Sequence, residues 1–465
     1  MADAKNIRVR GLVGLNYALE VREHQIVLNV RGMRESAVNV LWTGAESGDW
    51  DYQTSNFTIN DEPTSFVTND EVVFPENATQ KTINLIDKMV TKGVRFTHNS
   101  GTYTFNGEGG FSGEGDFVVD GTGSVVLNAT KSNYTGKTIL NRGAVTVKNL
   151  ENKGTESCFG AGSTIEIGKA TLIVNHTNAA SDRNVVLTDT AAISVPASST
   201  TTLQTALTGQ GVLVKKGAGQ LNLNHGGANN YAATILEAGT LSQGAWNGTF
   251  GKSGSAIEVT GNAALTVFNN NSTSAVPSLN NAISIQKGKT LTVNTGQRCK
   301  IQGKLSGEGT YKISFPYVRG DFETNCAAFG GTLEVSDGGR GNFRLTKALD
   351  LSKGTLKLNA GVYAAGFASQ GGSESSFTHK IGSLISSATD CTLSTGVWNV
   401  GYLGGNDTYA GKFNSVATLN KYGEGTLTLT GASEGAINIY EGELIAGNTS
   451  ASITTGTIAA REGGL

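Results

Sequence analysis

The chain has 465 residues, of which 63 are glycine and only 5 are proline, and 16% of its residues are charged. Gly, Thr, Asn and Ser alternate with Val, Leu and Ile, a composition that suits short strands and tight turns and disfavours all-α and doubly wound α/β folds. The formal net charge of −2 gives no general attraction for nucleic acid or for an anionic membrane surface, so neither is expected as a partner.

The first 40 residues alternate apolar and polar side chains on either side of a polar turn at residues 22–25. The apolar positions are Tyr17, Leu19, Val21, Ile26, Leu28 and Val30. This alternation predicts a β hairpin. We interpret residues 1–40 as a β cap over the open end of a strand stack, or as the tail of a preceding domain, and residues 41–465 as one repetitive domain.

A short unit recurs through the rest of the chain: Gly, a small or polar residue, and then two apolar residues separated by one position. The apolar pairs are Val125/Leu127, Val145/Val147, Leu172/Val174, Leu221/Leu223, Leu265/Val267, Leu291/Val293, Leu333/Val335, Leu356/Leu358 and Leu427/Leu429. Such pairs predict strands with one buried face, recurring roughly every 23 residues. A coil of this length, returning to the same strand position, predicts an all-β, right-handed parallel β-helix.

Several segments resemble the autotransporter-associated β-strand repeat of secreted passenger proteins, which reads Lys-x-Gly-x-Gly followed by Thr-Leu-x-Leu. They are Leu419-Asn-Lys-Tyr-Gly-Glu-Gly-Thr-Leu-Thr-Leu-Thr-Gly431, Lys216-Gly-Ala-Gly-Gln-Leu-Asn-Leu-Asn224 and residues 123–147. The residues around Trp42, Trp50 and Phe57 look like the aromatic lead-in to such repeats. The resemblance covers most of residues 100–447. It implies a passenger-type parallel β-helix that is secreted or held at the bacterial surface, associated with the outer membrane.

The cysteines, the apolar runs and the chain ends allow three further predictions. Cys158, Cys299, Cys326 and Cys391 lie far apart, and we interpret them mainly as small buried residues, a bridge being the alternative. No apolar run is long enough to insert into a bilayer. Both ends look like cuts in a longer protein, so flanking domains are expected, and residues 448–465 should fray or pair with another molecule.

A parallel β-helix can also be a polysaccharide lyase or a glycosidase, which would require charged residues that converge. The nearest candidates are Asp116 with Asp120, Asp182 with Arg183, Asp321 with Glu323, and Asp337 with Arg340. We interpret each as a solvated turn or strand charge. The five histidines show no metal-ligand spacing, and no metal or other cofactor is expected. The sequence therefore favours a protein that is not an enzyme, with the polysaccharide-active β-helix as the alternative.

Two features are candidate ligand-binding residues. Arg319, Gly320 and Asp321 spell the tripeptide by which some host-binding proteins engage integrins, with coincidence in a turn as the alternative. Trp246 and Trp398 offer flat faces for stacking on sugar rings, with packing against the adjacent coil as the alternative. The sequence thus predicts a surface or secreted stalk or adhesin segment that contacts a surface glycan or a host-cell receptor.

Overall fold

The computed structural model describes residues 16–31, 38–244, 249–268, 276–316, 319–339, 342–369, 372–447 and 458–460. Within these ranges the protein is all-β and forms a parallel β-solenoid of about 16 turns, with coils of about 22 residues. The predicted fold class and coil length are confirmed. These ranges contain no helix that is long and apolar enough to cross a bilayer.

The chain divides into two compact units. Unit 1 comprises Met1–Asn224 with Asn230–Ala232, and unit 2 comprises His225–Asn229 with Ala233–Leu465. Each unit is built from columns of short strands, because each coil places its strands directly on those of the coil before it.

Unit 1 contains an antiparallel hairpin, two long sheets, a third sheet that begins later in the chain, and one extra strand pair. The hairpin strands are Asn16–Arg22 and Gln25–Arg31. Sheet A contains Asn39–Trp42, Phe57–Ile59, Glu62–Thr64, Glu71–Phe74, Gly93–Phe96, Phe117–Val119, Thr138–Leu140, Thr164–Ile167, Asn184–Leu187 and Thr208–Gly209. Sheet B contains Asp49–Trp50, Thr82–Leu85, Thr102–Asn106, Ser124–Leu127, Ala144–Val147, Thr171–Val174, Thr190–Ser194 and Val212–Lys216. Sheet C contains Asn178–Ser181, Thr200–Leu203 and Gln220–Leu223, and the extra pair is Lys88–Val90 with Gly110–Ser112.

Unit 2 contains four parallel sheets. Sheet D contains Ala233–Leu236, Ala256–Val259, Ala282–Ile285, Lys304–Gly307 and Asn325–Phe329. Sheet E contains Gly239–Gln243, Ala263–Thr266, Thr290–Asn294, Thr310–Phe315, Thr332–Asp337, Asp350–Leu358, Thr378–Ile385, Gly396–Val400, Ala417–Lys421, Ala436–Ile439 and Ile458–Ala460. Sheet F contains Ser278–Leu279, Arg298–Ile301, Arg319–Phe322, Asn342–Leu345, Tyr363–Gly366, Thr392–Leu393 and Lys412–Phe413. Sheet G contains Asp407–Tyr409, Thr426–Leu429 and Glu443–Ala446.

The predicted apolar pairs face the interior. All eighteen of their side chains are buried, with Leu429 the most exposed at 3%. The strands that carry these pairs alternate half-buried and buried positions, which is the pattern of a sheet with one solvated face. The four cysteines are also buried and unbridged, as expected.

The recurring sequence pair does not keep one column, which differs from the predicted return to the same strand position. In unit 1, Leu172 lies in register with Val145 in sheet B, whereas Leu221 lies in register with Thr201 in sheet C. In unit 2, Leu427 lies in sheet G and not in sheet E. Sheets C and G begin only part of the way along their units, so the coil gains a strand and the pair moves to it.

Glycine is required where successive corners stack closely. Gly217 and Gly423 adopt φ values of 71° and 73°, in the left-handed region that disfavours a side chain. A Cβ atom on Gly423 would lie 2.0 Å from the carbonyl oxygen of Gly401, on the preceding coil. Any larger residue would therefore push the two corners apart.

The predicted hairpin is present, with Leu19 opposite Leu28. Val21, Ile26 and Leu28 are 40%, 47% and 40% exposed, so the hairpin carries apolar side chains that solvent reaches. Its role as a cap stays a prediction.

Candidate functional site

Three neighbouring strands of sheet E carry an asparagine at the same outward position. Asn399, Asn420 and Asn438 lie in register on successive coils. Asn420 Nδ2 donates to Asn399 Oδ1, and Asn438 Nδ2 donates to Asn420 Oδ1, both at 2.8 Å. Because identical side chains recur at the strand spacing, they form a continuous amide ladder.

Three tyrosines form a second column just beyond the ends of these strands. The ring centroids of Tyr402 and Tyr422 are 5.1 Å apart, and those of Tyr422 and Tyr440 are 4.8 Å apart, with interplanar angles of 10° and 3°. Carbon atoms in contact are separated by about 3.5–4.0 Å, so nearly parallel rings at these separations are offset. Each ring therefore covers only part of the face of the next, and Tyr402 remains 39% exposed.

The two columns lie on one face of the solenoid. Asn420 and Tyr422 are two residues apart, as are Asn438 and Tyr440, and residues at this spacing point to the same side of a strand. On the first of the three coils Asn399 and Tyr402 are three residues apart, because Gly401, with φ of 98°, lies between the end of the strand and the tyrosine. We call Asn399, Asn420, Asn438, Tyr402, Tyr422 and Tyr440 the Asn–Tyr array.

A buried lysine holds the corner that carries Tyr422. Lys421 points inward and is only 2% exposed. Its Nζ donates to the carbonyl oxygens of Tyr422 at 2.7 Å, Gly423 at 2.6 Å and Glu441 at 3.3 Å. Burial lowers the pKa of Lys421. Because one ammonium group binds two successive corners, Lys421 positions the backbone beside both Tyr422 and Tyr440.

The same arrangement occurs in unit 1. Lys215 is buried, and its Nζ donates to the carbonyl oxygens of Lys216 at 2.7 Å and Gly217 at 2.8 Å. Burial lowers the pKa of Lys215 to about 8. The lysine of the Lys-x-Gly-x-Gly pattern in this segment is thus Lys215, one residue before the Lys216 from which the resemblance starts. Its ammonium group points inward and binds the carbonyl oxygens of the corner.

The Asn–Tyr array is uncharged. Burial, followed by the stacked neighbouring phenol, raises the pKa of both Tyr402 and Tyr422, so these hydroxyls stay protonated. An amide has two N–H donors and two acceptor lone pairs, and the ladder uses one of each at Asn420. Asn399 is only 8% exposed, so Asn420 and Asn438 are the more open amides. The array can therefore bind a neutral ligand through hydrogen bonds and aromatic contact.

Trp398, a sequence-predicted stacking residue, is fully buried. Its ring stacks on His379 with centroids 4.2 Å apart, and its Nε1 donates to Ser394 O at 2.9 Å. This is the packing alternative considered from the sequence, and contact with a sugar would require the ring to leave this stack. Trp246 lies outside the described residues.

The Arg319-Gly320-Asp321 tripeptide lies in a strand of sheet F and not in a turn. Asp321 is fully buried, and its Oδ1 accepts a hydrogen bond from Arg344 Nε at 3.1 Å. A Cβ atom on Gly320 would lie 2.1 Å from Phe315 Cδ1, so this segment packs closely against its own unit. The carboxylate of the tripeptide is therefore not presented on the surface.

The interpretation of the charged candidates as solvated is wrong for Arg183 and Asp321, which are both fully buried. Arg183 donates to the carbonyl oxygens of Glu151 at 2.9 Å, Phe159 at 3.0 Å and Gly160 at 2.7 Å. Carbonyl oxygens from one loop satisfy this guanidinium, so the charge can be buried without a carboxylate partner. Asp116 is exposed, and Arg340 lies outside the described residues.

The prediction that residues 448–465 fray falls mostly outside the described residues, which include only 458–460 of that range.

The Asn–Tyr array is not among the sequence-predicted sites. Its signal is the recurrence of Asn-x-Tyr at the end of two strands, Asn420-Lys-Tyr422 and Asn438-Ile-Tyr440. Repetition at one coil length places like residues in contact, so this recurrence carries enough information to predict the two columns.

No family model and no solved structure match the chain. The chain is similar to the adhesin BmaC autotransporter of Brucella suis biovar 1 (strain 1330), with 28% identity over 324 residues. The match covers 65% of this chain and 8% of the relative, so the chain corresponds to a small part of that protein. This distant similarity and the β-solenoid together support an autotransporter passenger-like β-helix.

Proposed function

We propose that the chain is a non-catalytic, surface-exposed or secreted segment of an adhesin-like protein, which makes contact with a surface glycan or a host-cell receptor. The observation that carries this proposal is the combination of a parallel β-solenoid with distant similarity to an autotransporter adhesin.

The physical character of the solenoid supports a contact role. Outward residues recur at the strand spacing and stack on like or complementary neighbours. Besides the Asn–Tyr array, Glu334 lies between Lys312 and Lys357 on successive strands of sheet E, with N–O distances of 3.6 and 3.5 Å. Such ladders hold side chains in fixed positions, so a partner meets a surface that requires little ordering on binding.

The engagement of the charged candidates supports the choice of adhesion over catalysis. A lyase or glycosidase needs acids and bases free to exchange protons with substrate. The carboxylate of Asp321 is instead bound by Arg344, and the guanidinium of Arg183 is bound by backbone carbonyls.

The direct test is incubation of the purified chain with a panel of uronans and neutral glycans, with and without calcium, while product release and retention of each glycan are measured. We expect retention of at least one glycan without release of reducing ends or unsaturated products. Steady turnover of any member of the panel would overturn the proposal in favour of a polysaccharide-active β-helix.

A further inference from the structure

We infer that the Asn–Tyr array binds an extended, uncharged glycan whose pyranose units run along the direction in which the coils stack. This inference rests on the proposed contact function and names the ligand class for one surface.

The spacing of the array is the first support. Its aromatic rings recur at 5.1 and 4.8 Å, and its amides are linked at one per coil. An extended chain of equatorially linked pyranoses advances by nearly the same distance for each sugar unit. One sugar can therefore lie beside each coil of the array, with alternate sugars of a β-1,4-linked chain turned by about half a rotation.

The chemistry of the array is the second support. The amides of Asn420 and Asn438 offer donors and acceptors, and the phenols of the three tyrosines offer hydroxyls beside apolar ring surface. A pyranose ring has the matching pair of surfaces, since its hydroxyls project from the rim while its C–H groups form apolar faces. In an offset stack part of each tyrosine face remains available for C–H contact.

Charge decides between neutral and acidic glycans. After burial and the Tyr422 phenol, the carboxylates of Asp350 and Glu441 also raise the pKa of Tyr402, so negative charge lies near the array. The ammonium group of Lys421 is buried and bound to carbonyl oxygens. A cation in register with the asparagine column is Lys380, which pairs with Asn399 from the preceding coil. The carboxylates near the array would repel the carboxylates of a uronan, which disfavours an acidic glycan.

The array is also held in place before any ligand arrives. Lys421 binds the corners of two rungs, and the offset rings fix one another. Little conformational entropy remains to be lost on binding, which favours a weakly bonding ligand such as a neutral sugar.

The test uses the full chain and isothermal calorimetry with two linear probes, the β-1,4-linked hexamers of glucose and of N-acetylglucosamine. The α-1,4-linked glucose hexamer, which coils, is the control ligand. The variants are Tyr422→Ala, Tyr422→Phe and Asn420→Ala. Thr428→Ala is the matched control, because Thr428 is an outward residue of the same coil but lies in sheet G. Circular dichroism and the melting temperature verify that each variant is folded.

We expect at least one linear probe to bind, tenfold or more weakening by Tyr422→Ala, and several-fold weakening by Asn420→Ala. Tyr422→Phe should weaken binding less than Tyr422→Ala, because it keeps the ring, and Thr428→Ala should change affinity less than twofold. Equal affinity of the wild type and a folded Tyr422→Ala, equal binding of the coiled hexamer, or no binding of either linear probe would each overturn the inference. Adhesion of the same preparations to animal cells separates the two claims. If the wild-type chain adheres to cells but binds neither linear hexamer, only the inference is refuted. If it neither adheres nor binds, the proposed function is refuted as well.

Discussion

The imidazole of His379 lies flat against the indole of Trp398, with ring centroids 4.2 Å apart and an interplanar angle of 27°. The two residues are partners in register on adjacent strands of sheet E, and both are fully buried. His379 Nδ1 accepts a hydrogen bond from Leu349 N at 3.1 Å. The stack thus holds a neutral imidazole in the interior of unit 2.

This stack predicts acid sensitivity. Burial lowers the pKa of His379 from 6.5 to about 4, so the unfolded chain takes up a proton at a higher pH than the folded one. The neutral His379 makes its full contribution to the free energy of unfolding above pH 6.5. This contribution is lost as the pH falls toward 4, and the loss reaches about 3 kcal/mol. His379→Gln, which keeps an acceptor for Leu349 N, should flatten the melting temperature between pH 7 and pH 4 relative to the wild type. Parallel melting profiles for the two proteins would contradict this.

Leu427 and Thr428 test the assignment of strand faces. Leu427 is 2% exposed and lies in register with Asp407 and Leu444, whereas Thr428 is half-buried and faces outward. Leu427→Asp would bury a carboxylate beside that of Asp407 and should cost about 3–5 kcal/mol. Thr428→Asp should cost under about 1 kcal/mol. Equal losses of melting temperature would mean that the faces are reversed.

Arg183 is predicted to organise the loop that precedes it. Arg183→Met would leave the carbonyl oxygens of Glu151, Phe159 and Gly160 without their shared donor, and should cost about 3 kcal/mol. Limited proteolysis should then cut between residues 149 and 163 faster than in the wild type. Arg142→Met, at an exposed position earlier in unit 1, is the matched control and should leave the cleavage rate unchanged.

The corner lysines give a similar contrast. Lys421→Met would keep the length of the side chain but remove the ammonium group that binds three carbonyl oxygens, so the melting temperature should fall by several degrees. Lys412→Met, at an exposed position of sheet F, should have little effect. Equal effects of both changes would show that the buried ammonium contributes nothing specific.

The sequence was sufficient for the fold because the solenoid repeats one local rule. Val125/Leu127 and Leu427/Leu429 are separated by most of the chain, yet both follow the same Gly-and-apolar unit and both are buried. Which column a pair joins was not predictable, since that depends on where a coil gains a strand, as sheet C does at Asn178–Ser181.

The candidate site was harder to predict than the fold. Burial of Asp321 and Trp398 depends on partners in other coils, Arg344 and His379, which sequence spacing does not identify. The Asn–Tyr array, by contrast, follows from residues repeated at the coil length. Local repetition therefore predicts ladders in this fold, whereas isolated motifs such as Arg-Gly-Asp are unreliable guides to what is exposed.

The central claim, that the chain mediates contact at a cell surface, is tested most directly by display of the full chain on a non-adherent bacterium and a count of the bacteria retained on cultured animal cells after washing. We expect several-fold greater retention than for the same bacterium displaying the destabilised Leu427→Asp variant at equal surface density. Retention equal to that of bacteria displaying no chain would contradict the account.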